Sequence, residues 1–222
     1  TAPQPDVART GRVTSPEHPT GRLVEPPPKP RTIRDTPMTN VSPLRVLHYF
    51  YATPPEGTRV LLSVERFDGP IWEPSCGDGG IAKGLAAAGH RVVSTDLIDR
   101  GFGIGGINFL TEPINRARHI VTNPPYGGGL ADKFILHALR LARPMNGTVA
   151  MLLDGEFGAS VVNGAYTRNP PSNVYVLDEL ICRPAGRATV TTAEARYCWV
   201  VWKPGHAGRP TMWWLSTGQF KD

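Results

Sequence analysis

The sequence predicts an α/β domain built on a mostly parallel sheet. Short apolar runs alternate with stretches of helical spacing from about residue 53 onward, the order in which strands and crossover helices follow one another in such a sheet. Ile71-Trp72-Glu73 passes into a helical stretch through the glycine-rich turn Cys76-Gly77-Asp78-Gly79-Gly80, an arrangement that lays a small ligand against the carboxyl end of a strand. A second apolar run, His119-Ile120-Val121-Thr122, stops at Asn123-Pro124-Pro125-Tyr126, where Asn-Pro and Pro-Pro punctuate the strand.

Residues 1–37 are dense in proline, threonine and arginine, reach Glu25-Pro26-Pro27-Pro28-Lys29-Pro30-Arg31, and show no apolar period. They read as a disordered basic arm preceding a folded domain over 38–222. Arg9, Arg12, Arg22, Arg31 and Arg34 of the arm either touch phosphates or are simply solvated. Thr53-Pro54-Pro55-Glu56 has the form of a capping box with proline at the first helical position, so a helix is expected from Thr53 through Val60, Leu61, Leu62 and Val64. Strands are expected at 70–73, 91–95, 106–108, 119–122, 148–153, 173–177 and 197–202, and one more is compatible with 211–215. Helices are expected at 81–88, 130–142 and around 156–165.

Composition narrows the class. At 222 residues and 40% hydrophobic content the chain can bury one substantial core. A net charge of +5 and a pI near 9.3 suit a polyanionic partner without establishing one. The three cysteines, Cys76, Cys182 and Cys198, are odd in number and lack zinc-site spacing, which favours a reduced, cytoplasmic setting. No apolar stretch approaches the about 18 residues of a membrane span, and the first residues are too polar for a secretory signal. The six histidines show no metal spacing, so no metal is expected.

The Asn123 tetrapeptide suits chemistry at a conjugated amino group. Such a nitrogen has its lone pair delocalised and is a poor nucleophile until fixed acceptors hold its two N–H groups. The side-chain carbonyl of Asn123 can accept one, and the carbonyl of Pro124, directed by the proline-locked backbone, can accept the other. Tyr126 is then placed to stack on the base. Read alone, the same four residues are also compatible with an ordinary strand-ending turn.

Glycines Gly77 and Gly79 permit close approach of a ligand. The dinucleotide fingerprint G-x-G-x-x-G is not reproduced, because Ala82 stands in the third glycine position. Asp96, about 17 residues beyond Gly79, ends the next strand, where it either holds both hydroxyls of a ribose or caps a helix. Asn108 is suited to bond an adenine amino group; Phe109 either packs on the purine face or belongs to the core.

Taken in this order, the loop from Glu73 to Gly79, Asp96, Asn108-Phe109 and Asn123-Pro124-Pro125-Tyr126 resemble the class I S-adenosylmethionine-dependent amino methyltransferases of DNA, most of all the N6-adenine enzymes. Tyr51-Ala52-Thr53-Pro54-Pro55-Glu56 is similar to the segment those enzymes place before the glycine loop to hold the methionine end of the cofactor, and the motif order is that of the gamma class. The likeness spans about residues 50–202, and small phage and prophage methyltransferases share the closing aromatic strand. The resemblance implies a Rossmann-like class I methyltransferase fold, with a seven-stranded, mostly parallel sheet and helices on both faces. It implies S-adenosylmethionine as cofactor, bound at Thr53, Glu73, Pro74, Cys76, Gly77, Gly79, Asp96, Asn108 and Phe109, with Asn123, Pro124, Pro125 and Tyr126 at the reacting amino group. Two departures stand out: Asn108 replaces the aspartate of many relatives, and no separate target-recognition domain is expected beside the methyltransferase domain.

The implied activity is methyl transfer to N6 of adenine in DNA, the base being single-stranded or turned out of the duplex, with a partner subunit supplying target specificity. RNA bases and protein glutamine amides are the alternative conjugated targets, and a catalytically silent cofactor-binding subunit is the non-enzymatic one. Trp199, Trp202, Trp213 and Trp214 are expected to pack in the core or on sheet faces. The segment Arg183-Pro184-Ala185-Gly186-Arg187-Ala188-Thr189 is expected as a loop whose arginines either touch phosphate or are solvated.

Overall fold

The computed structural model describes residues 51–154, 168–184 and 197–221. All of them lie within one compact unit. The expected arm at 1–37 and the expected helix at 156–165 lie outside the described residues.

The elements are β1 (Tyr51–Ala52), α1 (Pro55–Val64), β2 (Ile71–Glu73), α2 (Gly80–Ala87), β3 (Val92–Ser94), β4 (His119–Thr122), α3 (Leu130–Ala142), β5 (Val149–Asp154), β6 (Asn173–Leu177), β7 (Arg183–Pro184), β8 (Tyr197–Trp202) and β9 (Thr211–Leu215). Seven strands form one sheet in the order β3-β2-β4-β5-β8-β6-β9. Only β8 runs against its neighbours, β5 and β6; the other pairs are parallel. The remaining strands, β1 and β7, make a separate antiparallel ribbon with Tyr51 opposite Pro184 and Ala52 opposite Arg183.

Strand alternation builds two cores, one on each face. Ile71, Val121, Ala150, Leu152, Trp199 and Val201 point to the face covered by α1 and α2, where Val60, Leu61, Ile81 and Leu85 meet them. Their sequence neighbours Trp72, Ile120, Met151, Leu153, Val200 and Trp202 point to the other face, against Phe134, Ile135, Ala138 and Leu141 of α3. Because β5 and β8 are covered on both sides, they read as unbroken apolar runs rather than alternating ones.

Four expectations are corrected. Residues 106–108 form no strand: the chain touches the sheet edge through a single parallel bridge, Thr95 to Ile104, and positive φ at Gly101, Gly103 and Gly106 breaks the extended run around it. The seventh strand is β9 instead. Helix α1 starts at Pro55 with Pro54 as its N-cap and no side-chain cap, so Thr53 is free of the capping role assigned to it. Arg183 and Pro184 are strand β7 rather than loop; residues 185–189 lie outside the described residues. Trp199 and Trp202 are core, but Trp213 and Trp214, on the outer strand, are 51% and 74% exposed.

Candidate active site

Parallel strands deliver the ends of β2, β3 and β4 to one edge of the sheet, and the loops that follow them meet there. Asn123 leaves β4 with every polar group of its side chain engaged. Its Nδ2 donates to Thr53 Oγ1 at 3.1 Å and to the Tyr51 carbonyl at 3.3 Å, while its Oδ1 accepts from the Tyr126 hydroxyl. The Tyr126 hydroxyl also has the Leu152 carbonyl at 3.0 Å. Its ring is half-buried and packs against both cores. Burial pushes the Tyr126 phenol well above its ordinary range, so it remains a donor at neutral pH. Pro124 is buried and Pro125 exposed.

Ser75 is a residue that motif reasoning passed over. Its hydroxyl lies 2.6 Å from Thr122 Oγ1 and donates to the Asn123 carbonyl at 3.0 Å, tying the glycine loop to the tetrapeptide. A serine between proline and cysteine in a turn gives no periodic signal of such a role. Phe102 was passed over as well. Flanked by Gly101 and Gly103 at positive φ, it lays its ring against Gly79, where an added Cβ would come within 2.6 Å of it. Lys83 Nζ stands 5.1 Å from that ring's centre.

The glycine loop itself is fastened by Asp96. Asp96 Oδ2 accepts from Gly77 N at 2.8 Å and Oδ1 from Ile98 N at 2.9 Å, with positive φ at Gly77 and Gly79 shaping the turn. Each carboxylate oxygen keeps a further lone pair for a ligand hydroxyl. Glu73 and Pro74, at the end of β2, are buried. Burial raises the Glu73 carboxyl well above its ordinary range against a lowering bond from the Ala82 amide; Asp96 and Asp78 add to the rise. Its Oε2 is buried with no hydrogen-bond partner among the described residues. An open cleft of about 630 Å³ adjoins this loop, between Thr53, Pro54 and Glu56 on one side and Asp78, Gly80 and Lys83 on the other.

Three expected cofactor residues sit differently from their assigned roles. Phe109 is core: 2% exposed, its ring meets Trp72, Phe134 and His137 and offers no open face to a purine. Asn108 is exposed, and its Oδ1 caps the turn Phe109–Thr111 by accepting from Leu110 N at 3.1 Å. Cys76 turns its thiol inward toward the Phe102 carbonyl at 3.5 Å, so only its main chain faces the loop. Burial, with Glu73 and Asp96 adding to it, pushes that thiol up to about 12.

No protein-family model matches the chain, and no curated protein matches it by sequence. Solved structures do match. A protein of Vibrio vulnificus described as a modification subunit of a type I restriction enzyme aligns at TM-score 0.51 and 15% identity, over 75% of this chain and 47% of its own. A protein of Pyrococcus horikoshii described as an RNA methyltransferase aligns at TM-score 0.51 and 12% identity, over 75% of this chain and 90% of its own. The fold is that of the class I methyltransferases. Within this methyltransferase fold, Asp96 follows β3, the second strand of the parallel set in chain order, and Asn123 follows β4, the third, on the same edge of the sheet. The chain spans about half the length of the restriction-system protein it aligns with.

Proposed function

We propose that this chain transfers a methyl group from S-adenosylmethionine to an exocyclic amino group, and that the target is N6 of adenine in DNA. The supporting observation is Asn123 at the carboxyl end of β4, its carboxamide oriented with Oδ1 away from the Thr53 side and its main-chain carbonyl joined through Ser75 to a glycine loop. The residues present fit the cofactor. Asp96 has lone pairs left for a vicinal diol, and Glu73 has an oxygen with no partner among the described residues. Phe109 takes no part in that fit, and Asn108 takes part only through its second lone pair.

S-adenosylmethionine supplies an electrophilic methyl group. Asn123 Oδ1, which keeps one lone pair beyond the Tyr126 bond, accepts one N–H of the target, and the Pro124 carbonyl accepts the other. Held this way, the nitrogen presents its lone pair in one direction, and rate comes from positioning rather than from a strong base. The methylated nitrogen is acidic and loses its extra proton to water. The chain's positive charge supports a polyanionic substrate, and a partner subunit that selects the target sequence accords with the restriction-system likeness.

The test supplies labelled S-adenosylmethionine with single-stranded DNA, duplex DNA, RNA and cell protein in parallel, with Asn123→Ala as control. N6-methyladenine in DNA, lost in the variant while cofactor binding persists, is the expected result. Label confined to RNA or to protein glutamine reassigns the substrate. Cofactor binding without transfer to any of them refutes the enzyme reading for the isolated chain.

A further inference from the structure

We infer that Thr53 is a positioning residue: its hydroxyl, together with the Tyr51 carbonyl, fixes the Asn123 carboxamide so that Oδ1 rather than Nδ2 faces the target. This deepens the proposed amino-group transfer and rests on it. A carboxamide is nearly symmetric in shape, and half a turn about its last torsion exchanges an acceptor for a donor. Only the acceptor can take a target N–H; the donor would oppose it.

The partners of Asn123 differ in how strictly they decide this orientation. The Tyr126 hydroxyl decides nothing by itself, since a hydroxyl can donate to Oδ1 or, with its proton on the Leu152 carbonyl, accept from Nδ2. The Tyr51 carbonyl at 3.3 Å is acceptor only, so it admits Nδ2 alone. Thr53 Oγ1 lies nearer, at 3.1 Å; its hydroxyl can donate or accept as that of Tyr126 can, and with the Tyr51 carbonyl holding Nδ2 on this side it accepts from Nδ2 and secures that orientation. Thr53 is 6% exposed and does not cap α1, so its hydroxyl has no competing water-facing or capping duty. Its backbone is seated firmly: β1 pairs with β7 just before it, and the missing side chain of Gly80 lets the Thr53 carbonyl rest on the first turn of α2.

The experiment compares Thr53→Val, which keeps the shape and removes the acceptor, with Thr53→Ser, which restores it. Single-turnover methylation of an adenine-containing oligonucleotide, the cofactor Kd and the Asn123 side-chain amide signal in ¹⁵N NMR are read for each. The Thr53 side chain is 6% exposed and turned to Asn123, so it is not the cofactor contact that the resemblance implies; Thr53→Val should slow the single-turnover rate by on the order of tenfold, the scale of one to two hydrogen bonds, with cofactor Kd changed less than about twofold, and Thr53→Ser should recover most of the rate. The Asn123 amide signal should shift in Thr53→Val and stay near its wild-type position in Thr53→Ser, with or without substrate. A wild-type rate in Thr53→Val, or a loss fully accounted for by weaker cofactor binding, overturns the inference. If wild-type protein methylates nothing, the proposed function fails on its own, and the NMR signal still decides the clamp: an unmoved Asn123 amide in Thr53→Val refutes it.

Discussion

Gly80→Ala perturbs the same region through packing alone. Gly80 is the first residue of α2, a place where alanine ordinarily favours the helix by about 0.5–1 kcal/mol over glycine. Here its Cβ would lie 2.5 Å from the Thr53 carbonyl oxygen, and ordinary contact begins at 3.4 Å, so the Thr53 segment must retreat by about 0.9 Å. The neighbour is main chain rather than the end of a flexible side chain, so the strain is shared by the whole β1 segment. A retreat of that size is enough to carry the 3.1 Å contact between Thr53 Oγ1 and Asn123 Nδ2 beyond hydrogen-bond range. Overpacking costs about 1–3 kcal/mol, partly offset by the helix term, which leaves a net loss of about 0–2.5 kcal/mol.

The variant should therefore fold, with a urea midpoint only modestly lowered, and should lose methyl-transfer rate out of proportion to that loss. Paired measurements on the same preparation, equilibrium unfolding in urea and single-turnover methylation, separate the two effects. Full activity in a folded Gly80→Ala protein would show that the Thr53 segment can move without consequence for Asn123, and would remove the basis for a tightly seated clamp.

Burial pushes the thiols of Cys76, Cys182 and Cys198 each up to about 12, and Cys76 and Cys182 are also buried while Cys198 is half-buried, so a thiol reagent at pH 8 should reach Cys76 and Cys182 of the native protein only as fast as it unfolds; rapid labelling of either of these two would contradict the packing. His119 donates from Nε2 to Asp68 and accepts from Thr148 N at Nδ1, and burial holds its pKa below the ordinary value despite Asp68. The unfolded chain therefore takes up this proton first, and stability present above about pH 6.5 falls as pH drops below it, by up to about 1.4 kcal/mol per pH unit. Urea titrations at pH 7.5 and 5.5 check this, and His119→Gln should flatten the difference. Of the five tryptophans, Trp72, Trp199 and Trp202 are buried and Trp213 and Trp214 exposed, so acrylamide should quench part of the native emission, and Trp213→Phe with Trp214→Phe should abolish most of that accessible part.

Most of the sheet was legible because its strands are short apolar runs closed by Gly, Pro or Asn. The bounds of β4, β6, β8 and β9 and of α3 coincide with the expected ranges. What failed shares a cause: it depends on which element lies beside which. Ribbon β1–β7 has two residues on each side, too few for any period to register. Phe109, at the end of an expected strand, reads equally as a purine platform or as core until Trp72 and Phe134 are seen around it. Trp213 and Trp214 have strand spacing like Trp199 and Trp202, and only the sheet order makes them outermost.

Thr53 shows the same limit at the scale of one hydroxyl. With Thr53 as cap, the first two helical positions would be Pro54 and Pro55, neither with an N–H, so the only near donor left for its oxygen would be Glu56 N. The helix instead begins one residue later, and the threonine turns to the amide of a residue 70 positions away. Ser75 likewise bonds 48 positions away, to the Asn123 main chain. Motif order alone brings the glycine loop and the tetrapeptide to one sheet edge, because parallel strands end together. It does not say that two hydroxyls, one before the glycine loop and one within it, hold the asparagine from both sides. That linkage makes the orientation of Asn123 depend on the seating of the loop, so a change confined to the loop should reach the transfer step through Asn123 even when cofactor affinity is unaltered.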